Sequence, residues 1–190
     1  MEKLLGYMMS IIDMNERERQ LVKSVFKPKN YEQGDYILEE GRICKEIGFI
    51  IQGIVIYSIE EKDESHVYSF GKENEFVCNY ESFLTKTPSS KSIKCIENVE
   101  MLCISYDNLQ ILYDEVVHGQ KLGRLISEQL FLEASANITS FYTDSPEQRY
   151  KQFLHFHSDL IQRIPQYLIA SYIKIKPQSL SRIRKRMLKK

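Results

Sequence analysis

Residues 164–190 read I-P-Q-Y-L-I-A-S-Y-I-K-I-K-P-Q-S-L-S-R-I-R-K-R-M-L-K-K, and their reading decides how the rest of the chain is organised. Eight Lys or Arg and no Asp or Glu stand in these 27 residues. Pro177 suits the first position of a helix, because its missing N–H would have no partner there. Advancing by about 100° per residue towards Lys189, Leu180, Ile183 and Met187 fall in one narrow arc. Gln178, Arg182, Lys185 and Lys189 fall in the opposite one. The apolar arc can pack on Leu168, Ile169, Tyr172 and Ile173 of a preceding helix, with the small Ala170 allowing close approach. Such a pair, turning at Lys174, has the pattern of a helix-turn-helix whose second helix enters a DNA major groove. The amide and guanidinium groups of the outer arc are those that bond base edges, Gln to adenine and Arg to guanine. Gln178, Ser179 and Arg182, nearest the helix start, are the expected base contacts. Lys176, Lys185, Arg186 and Lys189 are the expected phosphate contacts, which set position rather than sequence. Lys174 takes a turn position that favours glycine, at some conformational cost.

The remainder of the chain is acidic. All 26 acids lie in residues 1–162 beside 17 of the 26 bases, a local net of −9, so an overall charge of zero hides a basic tail. That asymmetry keeps attraction for a polyanion local. With 43% apolar residues in 190, the chain can bury a core of one ordinary domain plus a small appendage. No apolar run approaches the ~18 residues that span a bilayer. The start, M-E-K-L-L-G-Y-M-M-S, has too short an apolar stretch and too early an acid for a secretion signal. Cys44, Cys78, Cys95 and Cys103 lack C-x-x-C spacing and are expected as free thiols in a reducing cytoplasm.

Towards the N-terminus, residues 10–27 read as a helix capped by Asp13-x-x-Glu16 and ended by Lys27-Pro28. From Tyr31 to Ser105 short β-like runs follow: Asp35–Glu39, Ile47–Ile51, Ile54–Glu60, His66–Phe70, Lys91–Ile96 and Val99–Ser105, punctuated by Gly34, Gly41, Gly53 and Gly71. Many short strands with turn signals between them indicate an antiparallel jelly roll, and helices on both sides make the class α+β. Helical texture returns at Asp107–Val116 and over Gly119–Tyr142. In the longer helix Leu122, Ile126, Gln129, Glu133, Ala136 and Ser140 share one stripe. Together with Leu125, that side is the expected seam of a two-fold dimer. The rival reading packs the same helix on its own barrel. Ser145-Pro146 then caps a helix running to about His157.

With barrel, long helix and terminal helix-turn-helix in one order, the chain resembles the Crp/Fnr family of bacterial transcription regulators. Y-E-Q-G-D-Y-I-L-E-E-G-R (31–42) is similar to that family's opening strand pair, and F-I-I-Q-G-I-V (49–55) to its second glycine-marked hairpin. I-A-S-Y-I-K-I-K-P-Q-S-L-S-R-I (169–183) is similar to its helix-turn-helix. The resemblance implies a cyclic-nucleotide-binding-like sensor domain (1–117), a connecting and dimerisation helix (118–143) and a helix-turn-helix DNA-binding domain (144–190). It also implies a homodimer on double-stranded DNA with a two-fold-symmetric site, with RNA polymerase as a further partner.

Three departures limit the resemblance. Members that bind cyclic nucleotides hold the ribose with a glutamate and the phosphate with an arginine after a proline. Here the matching stretch, F-V-C-N-Y-E-S-F-L-T-K-T-P-S-S-K-S-I (76–93), keeps Pro88 but has Ser89 and Ser90 where the arginine belongs, and Glu81 is displaced. A buried phosphate without a paired cation is costly. The candidate effector pocket of Glu81, Ser89, Ser90 and Lys91 is therefore expected to take another small molecule, or none, rather than cyclic AMP. The cysteines do not suit an iron–sulfur cluster, and the sequence leaves little or no β wing after the last helix. No cofactor is expected. A jelly-roll metal enzyme would need inward histidines and a carboxylate. Only His66 lies on a candidate strand, and His118, His155 and His157 do not converge with it, so no enzyme is expected. A sensor barrel acting through a protein partner, without operator binding, is the closer rival.

Overall fold

The computed structural model describes residues 1–62 and 64–187. It opens with α1 (Glu2–Met9) and α2 (Glu16–Val25), followed by the strands β1 (Lys27–Tyr31), β2 (Tyr36–Leu38), β3 (Glu46–Gln52), β4 (Val55–Glu61), β5 (Glu64–Gly71) and β6 (Phe76–Val77). After α3 (Tyr80–Thr85) come β7 (Ser92–Cys95) and β8 (Val99–Ser105). The helices α4 (Tyr106–Glu115), α5 (Gly119–Thr143), α6 (Pro146–Phe156), α7 (Gln166–Tyr172) and α8 (Pro177–Met187) complete the order, with a 3₁₀ turn at Ser158–Leu160. One antiparallel sheet runs β1-β8-β3-β6 and the other β2-β7-β4-β5. This is the jelly-roll arrangement read from the strand spacing.

Register explains how the first sheet divides its side chains. Gly48 pairs with Cys103, Ile50 with Met101 and Lys29 with Met101, so these residues share the face turned towards the second sheet. The alternate residues Phe49, Leu102 and Ile104 face the helices. There the rings of Tyr7, Phe49 and Phe76 meet at centroid distances of 5.6, 5.6 and 5.1 Å. The tight β3–β4 turn needs Gly53. Its φ is +99°, and a Cβ there would lie 2.3 Å from the Asn98 carbonyl oxygen.

Several local readings change. The first cap is Asn15 with Glu18, not Asp13 with Glu16. Glu18 N donates to Asn15 Oδ1 at 3.0 Å, and Asn15 N to Glu18 Oε2 at 2.7 Å. The expected helix over 10–27 gives up its ends, because α1 is separate and Lys27-Pro28 begins an edge strand rather than ending a helix. Of the seam expected on α5, only the first residues pack on the chain's own core. Leu122 is buried in the barrel-side core, and Ile126 packs against it. Further along the stripe, Gln129 Nε2 donates to Glu133 Oε1 at 2.6 Å, and Ser140 donates to Asp144 at 2.8 Å. Leu125 is half-buried, and Ala136 alone of the five expected seam residues is exposed without a contact of this kind.

Glu18 ties the N-terminal cap to the base of α5, since its Oε1 also accepts from Val117 N at 2.8 Å. The Val117 bond and then the Asn15 bond hold its carboxyl below the usual glutamate range. A lowered folded-state pKa contributes stability that is present above the unfolded value and lost as pH falls. Glu18→Gln is expected to lower the melting temperature at pH 7. The gap from wild type should close as pH drops below about 4.3, where the unfolded glutamate also takes its proton. Thermal melts across pH 3–7, a window set on the order of that value, check both statements.

Candidate nucleic-acid interface and the barrel cassette

In α8 the two arcs read from the sequence are physically separated. Leu180 and Ile183 are buried against Leu168, Ile169, Ala170 and Ile173, and Met187 lies partly against the same cluster. Gln178, Arg182 and Lys185 point to solvent, Ser179 is half-buried, and Lys176 is exposed in the turn. Arg186 is exposed too, but its guanidinium is paired with Glu147 of α6, which also holds Lys151 at 3.2 Å. Lys189 lies outside the described residues.

The turn before α8 is fastened to the end of α5. Lys174 adopts φ +56°, the left-handed conformation that glycine would take freely. Its ammonium sits 4.2 Å from the centre of the Phe141 ring. Arg149 donates to the carbonyls of Ile173 at 3.0 Å and Asp144 at 2.6 Å, and its guanidinium lies 5.9 Å from the same ring. The short connection between α5 and α6 is held as well: Gln152 Nε2 reaches Asp144 at 2.8 Å, and Ser145 caps α6 in a reciprocal pair with Gln148.

A second set of contacts joins these helices to the outer face of β4 and β5. Phe70 meets Tyr172, Phe153 and His157 at ring separations of 5.3, 6.0 and 6.5 Å. Val67 N donates to Ser171 Oγ at 2.9 Å, and Lys72 bonds Asp159 at 2.8 Å. At the rim Arg163 forks to two carboxylates. It donates to Glu73 at 2.7 and 2.9 Å and to Glu97 at 2.6 and 3.1 Å. The Arg163 hydrogen bonds draw the Glu73 carboxyl down to about 2. Neither Arg163 nor its acids carried a sequence signal, because 90 and 66 residues separate the partners.

The cassette is closed by its own neutral side chains. Ser89 is buried, and its hydroxyl accepts from Asn79 Nδ2 at 2.6 Å and donates to the Lys91 carbonyl at 2.6 Å. Asn79 in turn caps α3, accepting from Ser82 N at 3.3 Å. The Ser82 hydroxyl accepts from Cys44 N at 2.9 Å and donates to the Thr87 carbonyl at 2.6 Å. Glu81 is exposed and pairs with Lys91 at 3.6 Å, while Ser90 faces solvent. The four expected pocket residues are therefore neighbours, but Ser89 is already satisfied by the fold, and the Lys91 charge is engaged by Glu81. Asn79 is the member that sequence reading missed. Its signal was the N-cap position before Tyr80.

On α5, Phe131 (72% exposed), Ile138 (60%) and Tyr142 (88%) form an outward row at seven- and four-residue spacing, opposite the expected stripe. Among the described residues no three His, Cys, Asp or Glu are placed to hold a metal, and no helix is long and apolar enough to cross a membrane.

Residues 28–115 match the family model of the cyclic nucleotide-binding domain. A search of curated protein sequences gave no match. Among solved structures, a cyclic nucleotide-binding domain containing protein from Listeria monocytogenes superposes with a TM-score of 0.70 at 16% identity, covering 99% of this chain and 90% of that one. The c-di-GMP responsive global regulator CLP of Xanthomonas campestris gives 0.69 at 17% identity, with 92% of each chain covered. A CooA mutant from Carboxydothermus hydrogenoformans gives 0.70 at 15%, covering 96% and 88%. At these identities the likeness shows a shared fold from the barrel through the terminal helices.

The clasp makes a prediction of its own. Replacing Arg163 by Ala should move the Glu73 carboxyl from about 2 back towards the ordinary glutamate value of about 4.3. The lowered carboxyl stabilises the clasped arrangement above that ordinary value and loses its effect as pH falls towards the folded one. Carboxyl-carbon NMR titration of wild type and variant reads the shift directly.

Proposed function

We propose that this chain is a sequence-specific, DNA-binding transcription regulator of the Crp/Fnr type, homodimeric and without cyclic AMP as its effector. The observation that carries this reading is the segregation of α8. Leu180 and Ile183 are buried, while Gln178, Arg182 and Lys185 stand free on the opposite side. A helical hairpin needing only to pack has no use for an acid-free outer arc bearing an amide and a guanidinium. A major groove does. The basic tail against an acidic body, and a fold shared with a protein described as a global regulator, support the same reading.

Gln178, Ser179 and Arg182 are the base-reading residues. Ser179 contributes from the flank, since it is half-buried. Lys176 and Lys185 hold phosphates as they stand. Arg186 joins them by exchanging Glu147 for a phosphate, a trade favoured by the doubly bonding geometry of guanidinium and phosphate. Cyclic AMP binding is disfavoured because the Asn79–Ser89 bond puts a neutral pair where the family's arginine would stand, and Lys91 is paired with Glu81. Dimerisation runs through the outward row Phe131, Ile138 and Tyr142. A two-fold dimer matches its two copies of α8 to the two halves of a symmetric site. RNA polymerase is then a partner at the promoter, and the cytoplasm is the compartment in which both act.

Two experiments test this. Selection from genomic fragments should return a two-fold-symmetric site whose affinity falls steeply with salt. Arg182→Ala should cost about 1–3 kcal/mol at that site and relax one position of it, whereas Lys185→Ala should weaken all sequences alike and reduce the salt slope by about 1. Unchanged site selection by Arg182→Ala would refute the base-contact assignment. For the dimer, Phe131→Asp with Ile138→Asp should yield a folded monomer in sedimentation. Leu122→Ala, inside its own core, should instead lower stability by about 2–5 kcal/mol and leave association intact.

A further inference from the structure

We propose that Glu147 of α6 withholds the Arg186 guanidinium from DNA of arbitrary sequence, and releases it to a phosphate only once Arg182 is seated on its base. Glu147 thereby sets specificity without touching DNA. This rests on the DNA-binding reading above and concerns the regulation of that same surface.

Charge placement singles Glu147 out. Residues 164–190 contain no acid, yet one carboxylate reaches α8 from 39 positions back in the chain. Among the described residues Arg182, Arg184 and Lys185 have no carboxylate partner, whereas Arg186 is paired with Glu147. Burial does not force that pairing, because the Arg186 side chain is 60% exposed and water can serve its charge. Exposed pairs of this kind add little to stability.

The carboxylate is held in place from its own side. Ser145 and Gln148 cap the start of α6 reciprocally, and Gln152 ties the same end to Asp144. Glu147 stands in the first turn, where the helix dipole favours negative charge. Its bond with Lys151 and then its bond with Arg186 hold the carboxyl below the usual glutamate range, so it is ionised at neutral pH. Lys151, one turn along the same helix and 3.2 Å away, stays beside Glu147 when Arg186 leaves.

Two regimes follow. On DNA of arbitrary sequence the protein is held by charge, without base contacts to fix its register. An arginine already satisfied by a carboxylate adds nothing to that attraction, and Glu147 repels the phosphates. On the selected site Arg182 fixes where α8 lies, and the helix then carries Arg186, one turn further on, to one place on the backbone. A phosphate presented there offers the same two parallel bonds as a carboxylate, and Lys151 keeps the released Glu147 compensated. A carboxylate serving α6 alone would change helix stability and leave discrimination between DNA sequences untouched.

The test compares full-length wild type, Glu147→Gln, Arg186→Ala and the double variant by fluorescence anisotropy across a salt series. One duplex is the site selected from genomic fragments, and the other is unrelated and of equal length. Glu147→Gln should tighten the unrelated duplex on the order of fivefold at about 0.1 M salt and steepen its salt slope by about 1. The selected duplex should change by less than about twofold, since Arg186 is already released there. In the Arg186→Ala background the same substitution should lose most of its gain. Wild type supplies a readout that needs no variant: the Glu147 carboxyl carbon should shift in NMR on adding the selected duplex and stay in place on adding the unrelated one. Equal tightening of both duplexes, a gain undiminished without Arg186, or a Glu147 signal indifferent to the selected duplex would each overturn the proposal. If no site is selected while Glu147→Gln still tightens unrelated DNA through Arg186, the regulator reading fails and the restraint on Arg186 stands. Binding to neither duplex refutes both.

Discussion

The outer face of the β4–β5 hairpin is too apolar to stand in water, and covering it organises the molecule. Ile56 pairs with Phe70 and Ser58 with Val67, so Ile56, Val67 and Phe70 lie on one side of the sheet, joined by Ile54 from the turn. Their neighbours Val55 and Tyr57 face the barrel core. A strand buried on both faces needs a second layer, and α6 and α7 supply it through Phe153, Leu168, Ile169 and Tyr172. Polar contacts at the margin then determine how that layer sits. Arg163 with Glu73 and Glu97 closes one rim, Lys72 with Asp159 another, and Ser171 caps the free N–H of Val67.

Placing the terminal helices this way settles the use of the remaining surfaces. The inner arc of α8 completes the core that begins on the barrel, which leaves its basic arc outward. The start of α5 is held by Leu122 and Ile126, and its end by the Lys174 and Arg149 contacts around Phe141, so its middle, residues 128–139, is left bare on every side. The cassette has turned its polar groups on one another through Asn79, Ser82 and Ser89. The barrel and the terminal helices are thus joined by one apolar layer rather than by a flexible tether.

What could be read in the sequence follows from the range of the forces involved. The arcs of α8, its proline start and the strained Lys174 turn depend on residues within a dozen positions of one another, and they were legible. So were most strands, bounded by glycines, and the missing arginine of the cassette. The edge strand β1 was not, because Lys27 and Lys29 occupy inward positions where apolar residues would announce a strand. β6 is two residues long, too short for any period. The neighbours of α5 change along its length, barrel at one end, solvent in the middle and turn at the other, so no single stripe describes it. The Arg163 clasp joins residues far apart in the chain and left no local pattern. One signal was present: Ile54–Tyr57 is an unbroken apolar run, which speaks for burial on both faces.

The central claim is that the outward arc of α8 meets DNA while the layer beneath it stays in place. Amide chemical-shift mapping of the isotope-labelled chain against its selected duplex tests this most directly. The account predicts changes concentrated at Gln178, Ser179, Arg182 and Lys185 and in the turn at Lys176, with Leu180 and Ile183 keeping their buried packing. Shifts gathered on the barrel strands or on the bare middle of α5, with α8 silent, would contradict it.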